Sequence, residues 1–455
     1  MMPARRAAPQ PPHKTMRDMK ISAPDDNSPA SGRRRQLLAL AGAGLLAAPL
    51  APAWAQFRVE VSGVGSKQIP VAIAAFNGAA PASAEVPAVV RADLERSGVF
   101  RLVAASGVLV EHARPDLAPW KERADALLTG SVTRLADGRL DVRFRLWDTL
   151  RGQDLGGLSF PVAASDLRLA AHKVADYVYE KLTGAKGIFS TRIAYVSKTG
   201  ASYSLWVADA DGEGAQAALT SGEPIISPSW SPNGAQLAYV SFEARKPVIY
   251  AHDIASGRRR LVATWRGSNS APSWSPDGGR LLATLTLSGN SQVYEIGAGG
   301  GGNPRRLTQS GGIDTEAVFS PDGGSIYFVS DRGGSPQIYR MSASGGGAER
   351  VTFGGNYNIS PAISPDGRWL AYISRIGGAF KLQVMELSSG NIASVTDTSD
   401  DERPTFAPNS RLVMYATKVG GREALMTTTL DGQIKTRLAS VPGDIREPNW
   451  GPFAR

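Results

Sequence analysis

The sequence predicts an α/β amino-terminal domain followed by an all-β six-bladed β-propeller of four-stranded blades, its ring closed by the carboxyl-terminal strand. Three observations carry this. One hairpin motif recurs six times at a period in the forties. The first copy of the repeat lacks a strand, and the last copy supplies only that strand. The segment before the repeats alternates strands with helices and contains none of the motif.

The motif is clearest at Pro272–Thr286, PSWSPDGGRLLATLT. Ser275-Pro276-Asp277-Gly278 has type I turn chemistry: Ser first, Pro with its preset φ second, Gly fourth. The apolar run Leu281, Leu282, Ala283, Leu285 suits a buried strand. A lone hairpin cannot bury both its faces, so the unit must stack on copies of itself. The turn prolines are Pro232, Pro276, Pro321, Pro365, Pro408 and Pro452, spaced 44, 45, 44, 43 and 44 apart. A period of that size with several strands per unit is the signature of a propeller.

Each unit holds four strands. P-x-W precedes the turn, and an apolar strand follows it (RIAYVS, QLAYVS, RLLATLT, SIYFVSD, WLAYIS, LVMYAT). A mixed strand ending near a Gly-bearing turn comes next, then an outer strand of the R-L-T type. The first unit begins at Arg192 without a P-x-W strand, and the last such strand, Pro448–Trp450, has nothing after it. The two partial units complete one blade and close the ring, which removes its open edges. An open solenoid would not need them to be complementary.

Residues 56–186 form the α/β domain, 187–455 the propeller, and 1–55 an export signal with a long amino-terminal extension. In the first of these, IPVAIAAF and VFRLVAA read as extended and EVPAVVRADLERSG as helical. A hairpin turns at Asp137-Gly138, and a second helix, LRLAAHKVADYVYEKLTG, ends on Gly184 as its cap. The leader places Arg33, Arg34 and Arg35 before a Leu/Ala/Gly run that ends in Ala53-Trp54-Ala55, so cleavage is expected between Ala55 and Gln56. The paired arginines fit the general secretory and the twin-arginine routes alike, and Met16 and Met19 are alternative starts to Met1. Beyond the leader no stretch is apolar enough to span a bilayer.

Composition excludes several classes. Cysteine is absent, so there is no disulfide framework, thiolate nucleophile or cysteine-ligated metal. The formal charge of +9 falls to +4 once residues 1–55 are set aside, and no dense basic stripe with aromatics points to nucleic acid. Gly297–Gly302 satisfies G-x-G-x-x-G but joins two strands of a blade, whereas a dinucleotide loop opens a helix. No G-x-S-x-G is present, and Gly65-Ser66-Lys67 lacks the rest of a phosphate loop. His112, His172 and His252 lie on separate elements without metal-ligand spacing, which suits core or surface roles. Asp277, Asp322 and Asp366 recur at one turn position, which argues turn geometry. Trp230, Trp274, Phe319, Ile363, Phe406 and Trp450 recur as a packing layer between blades.

Residues that break the repeat carry the functional signal. Just before each P-x-W strand stand Ile226-Ser227, Ser270-Ala271, Thr315-Glu316, Ile359-Ser360, Glu402-Arg403 and Arg446-Glu447. With P-x-W innermost, they ring one mouth of the central channel and differ from blade to blade, as a binding surface does and as ordinary loop drift also would.

Taken together, the leader, the α/β domain and six blades marked P-x-W-S-P-D-G with I-Y and R-L-T strands resemble the TolB family of the Tol-Pal cell-envelope system. The resemblance covers the whole expected mature chain, including its start, FRVEVSGVGSKQIPVAIAAF. The loops at GSNSAPSWSP, IDTEAVFSP and DDERPTFAP are similar to the family's channel-mouth loops, with Ala317 standing where proline is common. The blade motif by itself also occurs in the propellers of prolyl oligopeptidase-like peptidases.

The resemblance implies a monomeric periplasmic adaptor with no enzymatic activity and no cofactor. Its propeller mouth would bind the outer-membrane lipoprotein Pal through Asn269, Ser270, Ala271, Thr315, Glu316, Asn358, Ser360, Glu402, Arg403, Arg446 and Glu447. Its amino-terminal segment, Gln56, Phe57, Arg58, Val59, Glu60, Val61, Ser62 and Gly63, would reach the inner-membrane protein TolA. The system supports outer-membrane integrity and constriction at division. On the residues alone two other readings stay open: a peptidase- or glycan-acting propeller enzyme, with a carboxylate pair assembled from separate blades, and a peptidoglycan- or carbohydrate-binding module, which would want exposed aromatics that the mouth positions lack.

Overall fold

The computed structural model describes residues 61–62, 68–440 and 442–453; the leader and cleavage site lie outside them. The α/β domain is built on the strand Ile69–Ile73, which runs parallel to Phe100–Val103 on one side and to the start of Ala126–Arg134 on the other. Helix α1, Ala82–Arg96, makes the crossover between the first two. Leu140–Asp148 pairs antiparallel with Ala126–Arg134 across the expected turn, where Gly138 has φ 86°. Helix α2, Leu167–Thr183, packs beside α1 and ends on Gly184 at φ 73°, whose N–H returns to Glu180 O.

The helices pack because their apolar residues share faces: Val86, Val89, Val90 and Leu94 on α1, and Ala170, Ala171, Val174 and Val178 on α2 are all essentially solvent-free. Their core runs without a break into the propeller, where it takes in Ile193, Tyr195, Met414, Leu425, Leu438 and Trp450. Burial of that continuous apolar surface, not a linker, holds the two parts together.

The six blades are as expected. Their innermost strands are Ile225–Trp230, Asn269–Trp274, Asp314–Phe319, Asn358–Ile363, Glu402–Phe406 and Asp444–Trp450. They belong in that order to blades 2 to 6 and then blade 1, where Asp444–Trp450 pairs antiparallel with Arg192–Thr199. The second strand of each blade is buried on both faces, which is why it reads as an unbroken apolar run; Tyr195, Tyr239, Phe328 and Tyr415 are fully enclosed there.

The recurring aspartates do hold turns. Ser275 Oγ donates to Asp277 Oδ1 at 2.5 Å, and Gly278 N–H closes the turn on Ser275 O at 2.9 Å. The Ser275 hydroxyl, with the Gly279 N–H and Arg280, keeps the Asp277 carboxyl down at about 2. Gly297 ends a strand that pairs with Arg305–Arg306, so the glycine-rich run is a hairpin loop.

One pairing was not foreseen. Val61–Ser62 adds to the outer edge of blade 6 as a fifth strand, antiparallel to Lys435–Arg437, with Val61 opposite Thr436 and Ser62 opposite Lys435. Strand pairing uses backbone groups, and the sequence carries no mark for it.

Candidate functional site

Every innermost strand is interrupted by the same irregularity. Ser227, Ala271, Glu316, Ser360, Arg403 and Glu447 adopt left-handed φ values between 49° and 56°. At each, the register with the neighbouring strand slips, as between Thr315 and Val318 or between Glu402 and Thr405. This is a β-bulge repeated six times, and it turns the side chain away from the pleat. None of the six residues is glycine, so each carries a conformational cost of order 1 kcal/mol that the blade framework must sustain.

All six line one cavity of about 500 Å³ at the mouth of the channel. Ser270, Thr315 and Glu402 line it too, so eight of the eleven expected mouth residues converge. Three do not. Asn269 and Asn358 are fully buried: Asn269 Nδ2 donates to Trp265 O at 2.9 Å and Gly267 O at 3.1 Å, and Asn358 Nδ2 donates to Gln337 Oε1 at 2.7 Å and Gly354 O at 2.8 Å. Their amides brace the loops entering the blades and are not offered to a partner. Arg446 is exposed and lies outside the cavity.

Side chains at the left-handed positions pair with their counterparts one period along. Ser360 donates to Glu316 Oε2 through its N–H (2.8 Å) and its hydroxyl (3.0 Å). Arg403 makes an ion pair with Glu447. Burial tends to lower the Arg403 guanidinium, but Glu447 and Glu316 hold it above its ordinary value. Burial raises the Glu402 carboxyl, with Glu447 adding to the rise and Arg446 opposing it.

The cavity is lopsided. Blades 2 and 3 contribute Ile226, Ser227, Ser270 and Ala271, all uncharged. The rest of the rim carries Glu316, Asp400, Asp401, Glu402 and Glu447 against Arg403 and Lys418. Asp401 is committed to structure, accepting from Leu382 N–H at 3.0 Å and from the Thr396, Thr398 and Thr417 hydroxyls. Phe380, in edge contact with Tyr357 at 6.0 Å, and Ile373 add an apolar wall that the motif spacing did not reveal. The mouth therefore does hold an aromatic.

The sequence also missed a buried polar cluster where α1 and α2 meet blade 1. His172 Nδ1 lies 2.6 Å from Asp93 Oδ2, and its Nε2 lies 3.4 Å from Asp209 Oδ2. Asp93, His172 and Asp211 could each offer one ligand atom to a cation, all within 4.8 Å. Two guanidiniums already supply the positive charge: Arg96 binds Asp93 at 2.9 Å, and Arg168 binds Asp209 at 3.1 Å and also Asp211. Three carboxylates face two arginines and one imidazole, so the cluster is neutral when His172 is protonated. Burial pulls that imidazole down; the charge of Asp93 and its hydrogen bond, the Asp209 carboxylate at 3.4 Å and the Asp211 charge together raise it to about 10. Residues 79 apart cannot show this as a motif.

Comparison with known proteins bears directly on this architecture. Residues 179–454 match the family profile described as the TolB β-propeller domain, and residues 57–155 match the TolB amino-terminal domain. A protein from Polaromonas sp. named Tol-Pal system protein TolB is 69% identical over 413 residues, covering 90% of this chain and 97% of the relative. One of the same name from Bordetella pertussis is 53% identical over 418 residues, covering 90% of this chain and 95% of the relative. The crystal structure of TolB from Acinetobacter baumannii superposes with a TM-score of 0.79 at 36% identity, covering 87% of this chain and 99% of that one. These relatives are named for a system component, not for a catalytic activity.

Proposed function

The chain belongs to the TolB family of Tol-Pal system proteins, and on that premise we propose that it is a periplasmic adaptor binding the lipoprotein Pal at the propeller mouth and TolA through its amino-terminal segment. In this role it couples the two membranes for outer-membrane integrity and constriction at division. The observation that carries the reading is the sixfold left-handed bulge. Six non-glycine residues at strained positions all deliver their side chains to one cavity. The bulge is common to the blades, but the side chain it presents differs from blade to blade (Ser, Ala, Glu, Ser, Arg, Glu), as a recognition surface requires.

The two assigned segments meet different strands of blade 6: Glu402 is on its innermost strand, opposite Ala416, whereas Val61 and Ser62 pair with Thr436 and Lys435 on its outermost strand. A rigid ring presents the first site preformed. The second is an added strand that can be exchanged for a partner's edge. Among the described residues no helix is long and apolar enough to cross a membrane, which fits an adaptor between membranes. Calorimetric titration of Pal and TolA against the exported protein tests the reading: Pal affinity that depends on Glu316 and TolA affinity that depends on residues 56–63 support it. Binding of neither overturns it.

A further inference from the structure

Ring closure leaves one turn of the repeat broken, and the break is a pocket of unusual chemistry. In five copies the residue after the inner strand donates its N–H to the carbonyl opening the second strand, as Ser275 does to Arg280 O at 2.9 Å. Gly451 N–H makes the same bond to Arg192 O at 2.8 Å. Gly451 therefore stands where Ser231, Ser275, Ser320 and Ser364 stand, Phe453 stands where Asn233, Asp277, Asp322 and Asp366 stand, and Arg192 stands where Arg280 stands.

Arg280 is fully paired, to Asp277 at 3.2 Å and Glu295 at 2.9 Å. Both counterparts are missing at the seam. The turn aspartate is replaced by Phe453, and Val207 occupies the strand position of Glu295. Among the described residues no carboxylate lies within ion-pair distance of Arg192; its guanidinium sits 5.4 Å over the Trp230 ring, with a 3.4 Å contact from Nη2 to Gly234 O.

Among the described residues the indole nitrogen beneath it has no hydrogen-bond partner. Trp274 Nε1 donates to Ser229 O at 3.0 Å, and Trp450 Nε1 donates to Thr191 Oγ1 at 2.9 Å. Trp230 is 7% exposed, and its Nε1 is buried without an acceptor. A Cβ on Gly451 would meet Arg192 O at 2.7 Å and lie 3.4 Å from the indole nitrogen, so the close backbone approach takes glycine here and no side chain from that position covers the indole edge. A buried donor left unpaired costs roughly 1–3 kcal/mol.

These groups line a cavity of about 210 Å³ with Ser190 and Asn233, and none of its lining residues is acidic. Asn233 Oδ1 already accepts from Ser231 Oγ and Ala235 N–H, so its amide nitrogen is the end left for a ligand. Lys186 adds a cation 5.4 Å from the Phe453 ring.

We propose that this seam between blades 1 and 2 is a binding site for a small oxyanion, a carboxylate or a phosphate, at the end of the ring away from the mouth. The ligand restores the carboxylate that the broken turn lacks: Arg192 offers its planar fork, and the Trp230 N–H and Asn233 amide complete the donor set.

The test is a titration of the indole-¹⁵N-labelled full chain with sodium acetate and, separately, sodium phosphate, at constant ionic strength. The Trp230 indole resonance, identified by its loss in Trp230→Phe, should move saturably, while the engaged Trp274 and Trp450 indoles stay put. Saturation with acetate alone assigns a carboxylate-bearing ligand; saturation with phosphate alone assigns a phosphate. Arg192→Gln should weaken binding at least about tenfold and Arg192→Lys less, since the fork is lost but the charge kept. Arg192 is exposed and its backbone bond to Gly451 is indifferent to the side chain, so both variants should fold. No saturable movement with either anion, or an unchanged affinity in Arg192→Gln, overturns the proposal.

Discussion

Trp450 Nε1 donates a 2.9 Å hydrogen bond to Thr191 Oγ1 across 259 residues of chain, joining the last strand of the propeller to the threshold of its first. The bond lies inside the core shared by blades 1 and 6 and the α/β domain. Closure is thus welded into the packing of the whole molecule.

Trp450→Ala should therefore destabilise the protein by about 3–5 kcal/mol, the usual cost of a large aromatic removed from a core. Deletion of residues 445–455 should abolish the folded state, because blade 1 loses its inner strand. Thermal unfolding of both variants checks this. A truncated chain that melts with the intact one would mean the ring is not closed by that strand.

At the mouth, Glu316→Lys removes the acceptor for Ser360 N–H and hydroxyl and places a cation on the rim that already holds Arg403. At a desolvated interface such a reversal costs about 2–5 kcal/mol. Affinity for Pal should fall roughly 30-fold or more. The thermal midpoint should fall modestly, because the hydrogen bonds from Ser360 on the next blade are lost while the apolar packing layer is untouched, and the Pal titration is read on protein that is still folded. Unaltered Pal affinity would detach the cavity from that partner.

Removing residues 56–63 should abolish TolA binding and leave Pal binding largely intact. The fifth strand on blade 6 goes with them, yet the blade keeps its own four strands. Titration of each partner against the shortened chain separates the two sites, and loss of Pal binding would show that they are not divided in this way.

His172 should make stability fall in alkali. Its folded-state value of about 10 lies above the ordinary 6.5, so its contribution is complete below pH 6.5 and is lost as pH rises through 10. Facing it are Asp93 and Arg96 from α1, Arg168 from its own helix, and Asp209 and Asp211 from blade 1. His172→Gln should cost about 3–5 kcal/mol near neutrality, as when one partner of a buried ion pair is removed. The difference in melting temperature between the two proteins should narrow from pH 7 to pH 11. A constant difference would mean that the imidazole is not charged in the fold.

Backbone strain at the mouth can be read separately. Ala271 has φ 49°, so Ala271→Gly should be close to neutral, whereas Ala271→Val should cost about 1–3 kcal/mol, because a β-branched residue resists that region. Chemical denaturation of the pair tests the bulge without changing its charge.

The sequence by itself determined the blades. Turn chemistry and apolar runs are local signals, each encoded within a dozen neighbouring residues; their recurrence about every 44 residues gives the blade count, and the complementary partial units at Arg192 and Trp450 sufficed to close the ring. It also placed eight mouth residues, because their repeat position fixes their place around the axis. What tertiary structure alone decided was everything that depends on contact between repeats or between domains. Asn269 and Asn358 open the same strands as the mouth residues, yet their amides turn inward to buried acceptors. Phe380 and Lys418 come from other strands to finish the cavity. The charge-balanced set around His172 gathers from three elements far apart in the chain, and the docking of Val61–Ser62 uses backbone groups that every residue possesses. Periodicity tells which face a residue occupies; only folding brings distant faces close enough for their charges and hydrogen bonds to select one another.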